Sequence, residues 1–111
     1  MLCFCVGREM FEEILEKAID TGASRIEIEY KDGAELVSAF RGQVGIGIAW
    51  LDDTQTDIVF DEMRKMKKRK TITLREATYC LAFSKYESFG EWVYVVEIKA
   101  EKSELIIQAE R

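Results

Sequence analysis

Residues 25–30 read Arg25-Ile26-Glu27-Ile28-Glu29-Tyr30, a strict alternation, and Lys31-Asp32-Gly33 follows at once. Strand side chains point to opposite faces in turn, so Ile26, Ile28 and Tyr30 share one face and Arg25, Glu27 and Glu29 the other. This is a half-buried strand running into a hairpin turn. A strand with one apolar face needs other elements to cover it, and the flanking sequence supplies them. Before it, residues 9–21 place Met10, Phe11, Ile14, Leu15, Ala18 and Ile19 at helical spacing. Gly22 stands as the C-terminal cap of that helix, and Glu13 and Lys17 form a favourable pair one turn apart. After it, a second strand over about 34–41 runs to Phe40-Arg41, and Gly42-Gln43 turns it into a third over 44–51. In the third strand Val44, Ile46, Ile48 and Trp50 fall on one face, and Gly45, Gly47 and Ala49 on the other.

The pattern then repeats in outline. Asp52 to Thr56 offers several N-caps, and residues 57–69 read as a second helix with Val59, Met63 and Met66 on one side. Strands over 77–85 and 92–99 follow, joined by a hairpin at Glu87-Ser88-Phe89-Gly90, and residues 104–108 read as a last strand in preference to a helical turn. The expected fold is a single α+β domain over residues 1–111, with residues 1–9 an edge strand, a frayed tail or a misassigned start. Its architecture is a two-layer sandwich of order α-β-β-β-α-β-β(-β). A mainly antiparallel sheet carries both helices on one face and leaves the other to solvent or a partner. With a mass of 12.8 kDa, about two thirds of the chain's surface is buried on folding, enough for one core.

Composition excludes much chemistry. The 111 residues contain no His and no Pro. Without His there is no Ser-His or Cys-His catalytic pair, no imidazole proton shuttle and no Cys₂His₂ zinc site. Without Pro there is no PxxP ligand and no rigid Pro-rich linker. The glycines at 42, 45 and 47 alternate inside a strand instead of bridging a strand end and a helix start, so they are no dinucleotide fingerprint. The serines lack a base, and no Walker motif is present. Glu27 and Glu29 on an open strand face read as solvated carboxylates, and Asp52, Asp53 and Asp57 as helix caps in preference to cation ligands. Three cysteines, Cys3, Cys5 and Cys80, have no metal spacing and suit a reduced compartment, with Cys80 a small buried apolar residue. The six apolar residues at the N-terminus are too few for a signal peptide or a membrane span. The expectation is a cytoplasmic protein that is not an enzyme, needs no cofactor or metal and does not insert into membranes.

Charge supplies the candidate site. The net charge is −5, which argues against a dedicated nucleic-acid binder. Yet residues 9–35 hold nine acids against three bases, and Arg64, Lys65, Lys67, Lys68, Arg69 and Lys70 put six of the sixteen basic side chains into seven positions. Like charges that dense repel, so an acidic partner relieves a local cost. These six are the partner- or anion-binding candidates, weighed against an ordinary solvated helix end complementing the macrodipole.

Ile14-Leu15-Glu16-Lys17-Ala18-Ile19 followed by Gly22-Ala23-Ser24-Arg25-Ile26-Glu27-Ile28-Glu29 resembles the opening of the domain that precedes the motor in type II secretion and type IV pilus-assembly ATPases. That family writes an apolar helix and then Gly-Ala-Ser-Asp-Ile-His-Ile-Glu. Phe40-Arg41, the helix ending in Met66 and the closing strands resemble later parts of the same domain, so the likeness spans about residues 10–111. Arg25 and Glu27 replace the family's Asp and His, its Asp-Gly after Phe-Arg is missing, and its Pro-containing loop is absent. The resemblance implies the fold and a habit of protein–protein docking without ATP hydrolysis, in a stand-alone copy lacking the motor. Arg41 is the one further candidate it adds. The expected function is therefore a protein–protein interaction domain, self-associating as a homodimer through a sheet edge or exposed face and accessory to secretion or pilus-type machinery. The aromatic strand residues Tyr79, Phe83, Trp92 and Tyr94 are expected to serve that association. An acidic secretion-chaperone-like protein and an RNA- or nucleotide-binding module using 64–70 are the alternatives.

Overall fold

The structure, a computed structural model, describes residues 9–68 and 70–101. In chain order these form α1 (Met10–Asp20), β1 (Arg25–Lys31), β2 (Ala34–Arg41), β3 (Val44–Leu51), α2 (Asp53–Met66), β4 (Thr71–Leu74), β5 (Ala77–Ser88) and β6 (Glu91–Ala100). The six strands make one sheet in the order β3-β2-β1-β6-β5-β4, every neighbouring pair antiparallel. The fold is α+β, as its hairpins and two amphipathic helices require. What was expected of residues 1–8 and of 104–108 lies outside the described residues.

Register shows why one core forms. Ile26 lies opposite Ala39 and Val96, and Ile28 opposite Val37 and Tyr94. Farther out, Leu81 faces Ile98 and Phe83 faces Val96. Side chains directly opposite share a face, so these residues line one side of the sheet. Phe11, Ile14, Leu15 and Ala18 of α1 and Val59, Met63 and Met66 of α2 join them in a single apolar cluster. Burial of that apolar surface is the main favourable term in folding.

Local signals explain the element ends. Asp32 and Gly33 both have positive φ (54° and 87°), the conformation a two-residue hairpin turn demands. Gly22, at φ 80°, closes α1 by donating its N–H to the Ile19 carbonyl. The strand expected over 77–85 runs on to Ser88, so Glu87 and Ser88 belong to it and not to the turn, and both ends of the second helix move. The second helix begins at Asp53, four residues earlier than its apolar stripe suggests. Asp52 Oδ1 accepts the Gln55 N–H (2.8 Å) while Gln55 Oε1 accepts the Asp52 N–H (3.0 Å), a reciprocal cap that fixes the start there. It ends at Met66, because Lys70 turns to φ 61° with its N–H on the Met66 carbonyl. The strand β4 was not expected at all. It buries Ile72 and Leu74 and turns back through Arg75 and Glu76, both at positive φ although neither is glycine.

The start of α1 has no cap of its own. Glu9, at the N-cap position, makes no capping hydrogen bond through its side chain. Glu62 of α2 does that work from outside, its Oε1 accepting the Phe11 N–H at 2.8 Å and its Oε2 facing the Met10 N–H at 3.4 Å. A carboxylate at a helix N-terminus also meets the positive end of the macrodipole. Glu62→Ala is expected to cost about 1–2 kcal/mol of folding stability, and Glu62→Gln clearly less, in urea titrations of the two variants.

Candidate functional site

The sheet has two edges, β3 and β4. β4 is four residues long, whereas β3 runs for eight and contains no charged residue: Val-Gly-Ile-Gly-Ile-Ala-Trp-Leu. Soluble proteins blunt sheet edges with charge, proline, brevity or a bulge; β3 carries no charge or proline and is not short, and a bulge at Ile48 is its one such device. Val44 is 67% exposed, Ile46 55% and Trp50 54%.

A register shift sets what this edge presents. β3 pairs with β2 as Val44 to Gly47 against Arg41 to Ser38, then as Ala49 to Leu51 against Val37 to Glu35, leaving Ile48 as an extra residue. A bulge of this kind swaps the faces of everything beyond it. Val44 and Ile46 therefore share a face with Ala49 and buried Leu51, and Trp50 goes to the opposite face with Gly45 and Gly47, which corrects the alternation expected for this strand. The Ile48 carbonyl freed by the bulge accepts the Lys17 ammonium at 3.1 Å. Lys17 thus works across to the sheet, not within α1.

Gly45 is fixed by close approach. A Cβ there would lie 2.5 Å from the Phe40 ring. Phe40 in turn carries the Arg25 guanidinium 4.5 Å above its centroid. Arg25 Nε also pairs with Glu27 Oε2 at 2.9 Å, and the Tyr86 hydroxyl donates to Glu27 Oε1 at 3.1 Å. The Glu27 side chain is only 14% exposed, so the solvated carboxylate expected here is instead one tied to two partners. Burial, and then the bond to Glu27, push the Tyr86 hydroxyl above its ordinary 10.0.

The basic candidates scatter. Arg41 lies at the far end of β2, its guanidinium beside Gly22. Arg64 and Lys65 both pair with Asp61, at 3.1 and 3.2 Å, and their hydrogen bonds hold that carboxyl below its ordinary 3.8. Lys67 and Lys70 line hollows between α2 and β5, Lys68 is exposed just beyond the helix, and Arg69 lies outside the described residues. Among the described residues no carboxylate pairs with Lys67, Lys68 or Lys70.

The aromatic candidates also divide. Tyr79, Phe83 and Tyr94 pack against the core, and Trp92 alone of the four is half exposed. Cys80 is half-buried at most, its thiol donating to Glu101 Oε2 at 3.5 Å; burial and then that carboxylate push the thiol up from 9.0. Among the described residues no set of three or more Cys, Asp or Glu side chains converges on a metal position. No helix there is long and apolar enough to cross a membrane.

No protein-family model matches the chain, and no curated protein matches it either.

Beside β3's partner strand, Tyr30, Glu35, Asp53, Thr56 and Asp57 surround a shallow acidic hollow. Burial first, then Glu91, Asp53 and Glu29, push the Glu35 carboxyl above its ordinary 4.5. A carboxyl whose folded pKa is raised opposes folding when ionised, and the penalty is lifted as pH falls through that raised value. Glu35→Gln is therefore expected to raise Tm at pH 7 and to give no gain below pH 4.5, as read by thermal melts across that window.

Proposed function

We propose that this chain is a non-enzymatic protein–protein interaction domain, a two-layer α+β unit whose first partner is a second copy of itself joined through β3. The observation that carries the reading is the eight-residue, uncharged edge strand with Val44, Ile46 and Trp50 exposed. A two-fold pairing of edges sets a strand against its own copy, so any charge on it meets a like charge. β3 has none to meet. Each pairing satisfies backbone groups that water would otherwise hold and covers apolar side chains from both copies. The resemblance to the domain preceding secretion and pilus-assembly motors extends this to an accessory place beside such machinery. What supports that extension is that Gly22-Ala23-Ser24 links α1 to β1 and that Phe40-Arg41 closes β2.

Amide hydrogen exchange at two protein concentrations tests the reading. Protection is expected to rise with concentration across residues 44–51 and to stay constant across β1. Exchange in β3 that ignores concentration would remove the self-association reading.

A further inference from the structure

The edge at the opposite end of the sheet is also incomplete. β5 is twelve residues long, but β4 pairs with it only over 77–80. The Leu81 N–H goes to the Lys70 carbonyl at 2.8 Å. From Ala82 to Ser88 the outer side of β5 has no strand beside it among the described residues, while its inner side is paired to β6 throughout. Alongside this open stretch run two adjoining hollows that share Lys67 and Phe83. The first, about 110 Å³, has Phe60, Met63, Phe83 and Tyr94 as its apolar walls, with Arg64 and Lys67 at the rim. The second adds Lys70. Lys85, two residues beyond Phe83, stands over the Trp92 and Tyr94 rings at 4.5 and 5.9 Å.

Neither hollow is lined by an acidic residue, in a chain whose net charge is −5. The geometry points to a binding slot for an extended acidic peptide segment of a partner protein, which adds as a strand outside β5 along residues 82–88. Its backbone pairs with the free edge, one apolar side chain enters the pocket between Phe60 and Phe83, and its carboxylates meet Lys67 and Lys70. Strand addition supplies sequence-independent affinity, and alternate side chains supply selectivity. The cations set the sign of what is accepted and speed its arrival. RNA matches the charge but not the rest. Phe60 and Tyr94 pack against each other with ring centroids 4.6 Å apart and planes tilted by 49°, and Phe83 packs against Phe11, so these rings are engaged with each other and are poor platforms for bases. This slot lies at the other end of the sheet from β3, so its occupancy and self-association are separately measurable.

The test is selection of a displayed library of random ten-residue peptides on the full-length chain. Binding of a selected synthetic peptide is then measured by fluorescence anisotropy. Selected sequences are expected to place acidic residues two positions from an apolar one, on the same face of the added strand. Affinity should fall at least tenfold in the folded double variant Lys67→Glu/Lys70→Glu, and fall again when alternate amides of the peptide are N-methylated on its pairing side. Binding should also weaken as salt rises. The proposal is overturned by selection of neutral or basic sequences, by no enrichment, by affinity indifferent to the double variant or to N-methylation on either side, or by equal competition from a ten-nucleotide uridine RNA.

Discussion

Phe11→Ala is expected to lower the stability of this chain by about 3–5 kcal/mol, the cost typical of emptying a fully buried aromatic site. Phe11 is wholly buried and occupies the junction of three elements. Its ring lies 6.1 Å from that of Phe83 on β5, and its backbone N–H is held by Glu62 of α2. Removing the ring leaves a cavity that cannot collapse without pulling α1 away from both. Domains of this size are stable by only about 5–15 kcal/mol, so the loss is a large fraction of the total. With a urea dependence of about 1–3 kcal/mol per molar, the unfolding midpoint should fall by about 2 M. Phe11→Leu keeps most of the volume and should cost about 1 kcal/mol. A midpoint for Phe11→Ala within about 0.5 M of the unmodified chain, a fraction of the expected fall, would show that α1 is not anchored there.

The second large effect is on association. Ile46→Lys places a charge at the middle of an exposed edge position, where the isolated domain tolerates it within about 0.5 kcal/mol. Between two copies related by a two-fold axis the same change brings two ammonium groups onto one strand interface. The dissociation constant of the dimer is expected to rise at least tenfold, a change of about 1.4 kcal/mol or more, with Tm of the dilute monomer unchanged. Ile58→Lys, at an exposed apolar residue on α2, is the matched control and should leave association as it was.

How much of this was legible in the chain depends on the range of the forces involved. Short-range signals were readable. The stripe from Phe11 to Ala18 and the Asp32-Gly33 turn act over a few residues, and 34–41 and 44–51 have the boundaries their turns imply. β4 was hidden because its turn, Arg75-Glu76, uses no residue suited to positive φ. Tertiary ion pairs from Arg75 to Glu16 and Asp20 hold that turn, and they span more than fifty residues of sequence. The bulge at Ile48 is likewise fixed from outside the strand, by Lys17, and one extra residue is enough to send Trp50 to the other face. Glu27 was read as solvated because its partner Tyr86 comes from a hairpin fifty-nine residues away. At the candidate site, charge density pointed to 64–70 as one cluster, but helix geometry divides it. Arg64 and Lys65 turn back on Asp61, while Lys67 and Lys70 face β5. The uncharged third strand was visible in the sequence. That it is an edge, and so exposed, follows only from the strand order.

Sedimentation velocity of the unmodified chain across a hundredfold range of concentration tests the central claim most directly. A reversible shift from a 12.8 kDa species to one of twice that mass is expected, abolished by Ile46→Lys within the same range. A single 12.8 kDa species at every concentration, or a dimer unaffected by Ile46→Lys, would contradict it.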